Sequence, residues 1–166
     1  MAIETLYIAR HSLAEDHHPQ HPGVDEERRL TAEGVDVATQ VFRSLGTLGF
    51  RPDQIWSSPL ARTHQTAEIA RVQFGIRHPL ELVDGLAPHG APLLVMERLL
   101  ATDAKSVMVV GHDPGVGDLL GQLVTKGQLI QRFERAGVAA VQVYSLGGRL
   151  RGELLFYAPP ALLGVL

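Results

Sequence analysis

Three apolar runs short enough to be strands each end on a small group of polar residues. Leu6-Tyr7-Ile8-Ala9 runs into Arg10-His11, Asp53-Gln54-Ile55-Trp56-Ser57 into Ser58-Pro59, and Ser106 to Gly111 into His112 and Asp113-Pro114. Between them the periodicity becomes helical. Thr31 reads as an N-cap, with Glu33 well placed against the helix dipole. Val35, Ala38, Val41, Phe42 and Leu45 then form an apolar stripe that Gly46 and Gly49 close. Ser58-Pro59 opens a second helix with Arg62 in its first turn, and Leu60, Ala67, Ala70 and Phe74 lie on the far side from Arg62. Pro79 to Val83 reads as a short strand. Pro92 starts a third helix with Leu93, Met96, Leu99 and Leu100 inward, and Pro114 a fourth through Leu119, Leu120 and Leu123. Ala139 to Leu146 and Leu150 to Tyr157, on either side of Gly147-Gly148, predict a β-hairpin. The apolar tail beyond Pro159-Pro160 reads as a docked terminus. Strands alternating with helices and closed by a hairpin predict a three-layer α/β/α sandwich with a mostly parallel central sheet.

Composition narrows the function classes. The length of 166 residues suits one domain, 1–166, with a substantial core. At 45% apolar and 20% charged the chain has an ordinary globular balance. A net charge of −3 argues against nucleic-acid binding, which needs a basic face. The absence of Cys excludes disulfides, thiolate catalysis and zinc-thiolate sites. No apolar stretch approaches the ~20 residues of a membrane span. The chain enters its first strand with no basic segment ahead of an apolar one, so no signal peptide is expected. The expectation is a cytoplasmic protein without a membrane partner.

The strand ends carry the chemistry. In open α/β sheets, ligands bind beyond the carboxyl ends of the strands. There the chain delivers Arg10, His11, Arg62 and His112, two guanidiniums and two imidazoles. A transferred phosphoryl group spreads negative charge over its equatorial oxygens, and paired guanidinium N–H donors match those oxygens better than an ammonium does. Taken singly, each residue has an ordinary explanation as a surface arginine or a helix-start histidine; their shared position at strand ends is what joins them.

Arg10-His11, the segment Ser57-Ser58-Pro59-Leu60-Ala61-Arg62-Thr63-His64-Gln65-Thr66-Ala67 and Gly111-His112 resemble the motifs of the histidine phosphatase superfamily. The short chain, Arg28-Arg29-Leu30-Thr31 and His112-Asp113-Pro114-Gly115 resemble its small, SixA-type phosphohistidine phosphatase branch. The likeness runs from about Leu6 to about Pro159. It implies a phosphoglycerate-mutase-like fold and a phosphatase that needs no cofactor or metal. His11 would attack phosphorus through a neutral ring nitrogen and form a phosphohistidine that water hydrolyses. Arg10 and Arg62 would grip the phosphoryl oxygens, and His112 would donate to one of them. The implied partner is a phosphorylated protein such as a His-containing phosphotransfer domain. Two alternatives stay open: a small-molecule phosphomonoesterase acting on a phosphate ester, and a catalytically silent phosphate-binding module.

Other positions carry competing explanations. Ser12 stands where the family has Gly; it is a candidate for substrate contact, and a turn needing positive φ would strain it. Arg28 occupies the place from which an Arg of the SixA-type pattern reaches the phosphate, against a solvated charge beside Glu26 and Glu27. Arg29 and His64 read more readily as surface or packing residues. Larger members of the superfamily carry an acid after the third strand, to protonate an alkoxide leaving group. Here that stretch offers Asp84 and His89, each with an alternative as a loop polar residue, and Gly85 falls where the acid is expected. Imidazole leaves far more easily than an alkoxide, so a site short of an acid suits a phosphoramidate. His17, His18 and His21 in a Pro-punctuated loop could bind metal adventitiously, but a solvated rim loop is the preferred reading.

Overall fold

The computed structural model describes residues 2–16, 22–129 and 131–165. Its strands are β1 Thr5–Arg10, β2 Gln54–Ser57, β3 Glu81–Leu82, β4 Ser106–Gly111, β5 Val138–Leu146 and β6 Arg149–Ala158. The helices are α1 Ala32–Thr47, α2 Ala61–Phe74, α3 Pro92–Ala101 and α4 Gly115–Thr125. Three 3-10 segments complete the order: Pro22–Glu27, Asp84–Leu86 and Pro160–Leu163.

The sheet runs β3-β2-β4-β1-β5-β6, parallel from β3 to β1 and antiparallel from β1 to β6. Successive side chains point to opposite faces. Leu6, Ile8, Val107 and Val109 therefore pack with α3 and α4 through Val95, Leu99, Leu119 and Leu120. Tyr7, Ala9, Met108 and Val110 pack with α1 and α2 through Val41, Phe42, Ala67 and Ala70. These are the three layers of the sandwich. Leu146 pairs with Arg149 across Gly147 and Gly148, whose φ values of 59° and 73° are those of a primed hairpin turn. The tail docks: Val165 is buried in the α1–α2 layer.

β4 inserts between β1 and β2, so the chain order of the strands is not their spatial order. Arg10 pairs with Gly111 and Ser57 with Val110, which brings the carboxyl ends of β1, β4 and β2 level and adjacent. That register sets the polar strand ends side by side.

Two helix faces differ from the sequence expectation. Val35 is 40% exposed, while α1 buries Gly34, Val37, Ala38, Val41, Phe42 and Leu45. The buried face begins at Gly34, where an added Cβ would lie 2.0 Å from the Leu13 carbonyl oxygen. A glycine that packs by its backbone leaves no apolar signal to set the phase. In α3, Leu93 is 62% exposed and Val95 takes the inward position beside Met96 and Leu99. Apolar residues surround that helix on more than one side, so periodicity alone does not choose its core face.

Candidate active site

Backbone hydrogen bonds fix the turn after β1 from several directions. The His11 N–H donates to the Gly111 carbonyl at 3.0 Å, and the His11 carbonyl accepts from Ala136 N–H at 3.1 Å. Arg10 N–H donates to the Gly137 carbonyl, and its Nη1 donates to the Phe133 carbonyl at 2.6 Å. Asp113 holds that last segment in turn, its Oδ1 accepting from Phe133 N–H. The four strand-end residues converge. The His11 and His112 rings lie 5.2 Å apart, and Arg10 and Arg62 are near enough to depress the basicity of both imidazoles.

Burial, then Arg62, Arg10 and Arg135, bring His11 down to about 4, despite the opposing hydrogen bond to Ser12. The ring is neutral at pH 7, and its tautomer follows from geometry. Nδ1 lies 2.6 Å from the Ser12 carbonyl oxygen, which can only accept, so Nδ1 carries the hydrogen and Nε2 the free lone pair. Burial, then His11, Arg62 and Arg10, bring His112 down to about 3, against the opposing charge of Asp25. Its Nε2 lies 3.0 Å from Ser58 Oγ.

Three buried side-chain nitrogens have no hydrogen-bond partner among the described residues: Arg10 Nε, Arg62 Nε and His112 Nδ1. Buried polar atoms are nearly always paired. Here the exceptions all belong to the residues that the strand ends bring together. Such a cluster of unmet nitrogens suits an oxyanion.

Comparison with known proteins agrees. A family model for the Histidine phosphatase superfamily (branch 1) matches residues 6–88. The chain belongs to this superfamily. An uncharacterized protein of Picosynechococcus sp. is 38% identical over 117 residues, 68% of each chain. The structure of the protein histidine phosphatase SixA complexed with tungstate is similar over 96% of this chain and 99% of that one, with a TM-score of 0.85 and 26% identity. A SixA-assigned protein of Agrobacterium tumefaciens shares the fold at a TM-score of 0.79 and 24% identity, over 95% and 99% of the chains. This histidine phosphatase is therefore of the SixA type, a hydrolase with the phosphoglycerate-mutase-like fold.

Within the histidine phosphatase frame, Ser12 behaves differently from the expectation. It is not among the residues with positive φ, so no strain arises there. Its Oγ donates to the Gly34 carbonyl at 2.7 Å and its N–H to Thr66 Oγ1 at 3.1 Å. The hydroxyl fastens the turn after β1 to α1, and the side chain is fully buried rather than presented to a substrate. Arg28 reaches the site only through an intermediary. Its Nε donates to Asp25 Oδ1 at 2.8 Å, while Asp25 receives Arg62 Nη1 on its backbone carbonyl at 2.7 Å and Nη2 on Oδ2 at 3.2 Å. Sequence reasoning missed Asp25, although a carboxylate three residues before a candidate phosphate arginine was a usable signal. It also missed Ser58 and Arg135.

Asp84 and His89 are exposed and line a cleft that also touches Asp25. His64 and Arg29 border a separate surface hollow, away from the four strand-end residues. His17, His18 and His21 lie outside the described residues. Among the described residues no group of His, Asp and Glu is arranged to hold a metal. No helix among them is long and apolar enough to cross a membrane.

Proposed function

We propose that this protein is a cofactor-independent phosphatase that hydrolyses phosphohistidine on a protein, such as a His-containing phosphotransfer domain, through a phosphohistidine of its own on His11. The observation that carries this reading is the neutral His11 ring, its Nδ1 hydrogen committed to the Ser12 carbonyl, beside three buried nitrogens of Arg10, Arg62 and His112 that have no partner among the described residues.

The lone pair on His11 Nε2 forms a bond to phosphorus as the bond to the departing nitrogen breaks, and that nitrogen keeps the bonding electrons. The departing imidazole is neutral when the substrate ring is already protonated on its other nitrogen. Water then attacks phosphorus, the bond to His11 breaks, inorganic phosphate forms and His11 returns to its neutral state. Arg10 and Arg62 stabilise the charge on the phosphoryl oxygens, with His112 as a further donor. This set covers the charge that a metal covers in other phosphoryl-transfer sites, so the reading requires no cofactor.

The small-molecule reading is favoured by one observation: Asp84 and His89 line the cleft next to the Arg62 partner Asp25, where an acid would protonate an alkoxide. The deciding assay is phosphate release from a phosphorylated phosphotransfer domain, beside a sugar phosphate and an aryl phosphate. We expect fast release from the phosphohistidine protein, and loss by several orders of magnitude in a folded His11→Ala variant. Release that is unaffected by His11→Ala would reject the covalent route, and binding of phosphate without a single turnover would leave a silent binding module.

A further inference from the structure

The cleft beside Arg62 has an unusual sign for a phosphatase. It encloses about 430 Å³, and its lining includes three carboxylates, Asp25, Glu26 and Asp84, together with His89, Leu60 and Ala87. Asp25 belongs to both the cleft and the phosphoryl site. Its Oδ2 lies 3.2 Å from Arg62 Nη2, and its Oδ1 is held by Arg28 Nε at 2.8 Å and Nη2 at 2.7 Å. Arg62 is 4% exposed, and its Nε has no partner among the described residues.

Asp25 meets Arg62 through Nη1, on its backbone carbonyl, and Nη2, on Oδ2, while Arg62 Nε has no partner among the described residues and is left for a phosphoryl oxygen. Arg28 holds the carboxylate through Oδ1 at a cleft whose wall also carries Glu26 and Asp84.

Resting on the phosphatase reading above, we propose that Asp25 is a specificity-determining residue that selects phosphoryl donors with a cationic leaving group, such as a protonated imidazole or an ammonium-bearing group, and rejects those with a carboxylate. For a phosphoimidazole the carboxylate favours the form protonated on the distal nitrogen. The bonding electrons then stay on the nitrogen leaving phosphorus, and neutral imidazole departs rather than imidazolate. A hydroxy-acid phosphate brings like charge into the cleft and is disfavoured.

The test uses two aryl phosphates that differ in charge at the para position, aminomethyl and carboxy, with N-phosphoimidazole alongside. In the parent protein we expect kcat/KM to fall from the cationic to the anionic ester by about tenfold or more, a size that one nearby charge supplies. In Asp25→Asn the span should shrink to within about threefold, mainly through KM, because the change removes charge from a binding wall. Inorganic phosphate should inhibit Asp25→Asn more strongly than the parent, since the variant removes a negative charge beside Arg62. Asp25→Ser should behave in the same way, which separates charge from side-chain shape. A span unchanged in both variants, or one that collapses in Asp84→Asn instead, overturns the role of Asp25 while leaving the phosphatase reading intact. Absence of His11-dependent turnover on every substrate rejects that reading, and this inference with it.

Discussion

The turn from Arg10 to Ser12 and the segment from Asp25 to Arg28 lie on either side of Arg62, yet they are held by different kinds of bond. The turn is fixed by four neighbours: the carbonyls of Gly111 and Gly34, the N–H of Ala136 and the buried hydroxyl of Thr66. His11 and Ser12 are 9% and 0% exposed. The segment is attached to Arg62 by one backbone carbonyl and, for the rest, by ion pairs through an Asp25 side chain that is 34% exposed. Bonds of the first kind are unaffected by an incoming anion. Those of the second kind are exchangeable, because phosphate offers the arginines a charge of the same sign as Asp25. In the proposed mechanism His11 needs a fixed direction of attack, whereas a substrate rim needs to open. The fold meets the two demands with two chemistries.

Changes at Arg62, where the two regions join, should have the largest effect. Arg62→Ala should lose about 3 kcal/mol or more of transition-state stabilisation in kcat/KM, and Arg62→Lys should recover only part, because an ammonium lacks the forked donors. Full activity in Arg62→Lys would break the bidentate assignment. Next comes the anchoring of the turn. Gly34→Ala places a Cβ against the Leu13 carbonyl, and should destabilise the protein by about 1–3 kcal/mol in denaturant unfolding. Asp25→Asn should change stability by less than about 1 kcal/mol, as expected of a partly exposed pair. Equal losses from the two would erase the distinction drawn above.

The acid side of the pH range sharpens it further. His11 and His112 have folded-state values of about 4 and about 3, below the ordinary imidazole value, through burial first and neighbouring cations second. Between those values and about 6.5 the unfolded chain binds more protons than the folded one. Their contribution to stability is therefore complete above about pH 6.5 and is lost as pH falls through 4 towards 3. Nitrogen NMR should find both rings neutral at pH 6, with His11 protonated on Nδ1. A His11 midpoint near 6.5 would contradict the buried, cation-flanked setting. The smallest effects should come from the cleft. Asp84→Asn and His89→Ala should stay within a few-fold of the parent on phosphohistidine. A positioned general acid is worth about 10²–10⁴-fold on alkyl phosphates, so a loss of that size confined to them would identify the acid and favour the small-molecule reading.

The strand ends were legible because β-strands announce themselves locally and ligand sites gather at their carboxyl ends. Arg10, His11, Arg62 and His112 needed only that rule and the family motifs. The phase of α1 was misread because its inward row starts at Gly34, which packs by its backbone and carries no side-chain signal. Leu93 misled for the opposite reason, since too many apolar residues surround α3. Asp25 escaped notice because its link to Arg62 spans 37 positions and no periodicity encodes an ion pair between a loop and a helix. Ser12 looked strained only while the turn was assumed to need positive φ. Its extra hydroxyl instead finds an acceptor across the layer, in Gly34.

The insertion of β4 between β1 and β2 also sets when the site can exist. Arg10 and His11 stand near the start of the chain, but their backbone partners are Gly111, Ala136 and Gly137. A nascent chain that has not yet completed β4 and the approach to β5 holds His11 without the groups that orient it. Loop closure over such separations is slow compared with local helix formation. The surroundings of Arg10 and His11 are thus completed with the last part of the sheet.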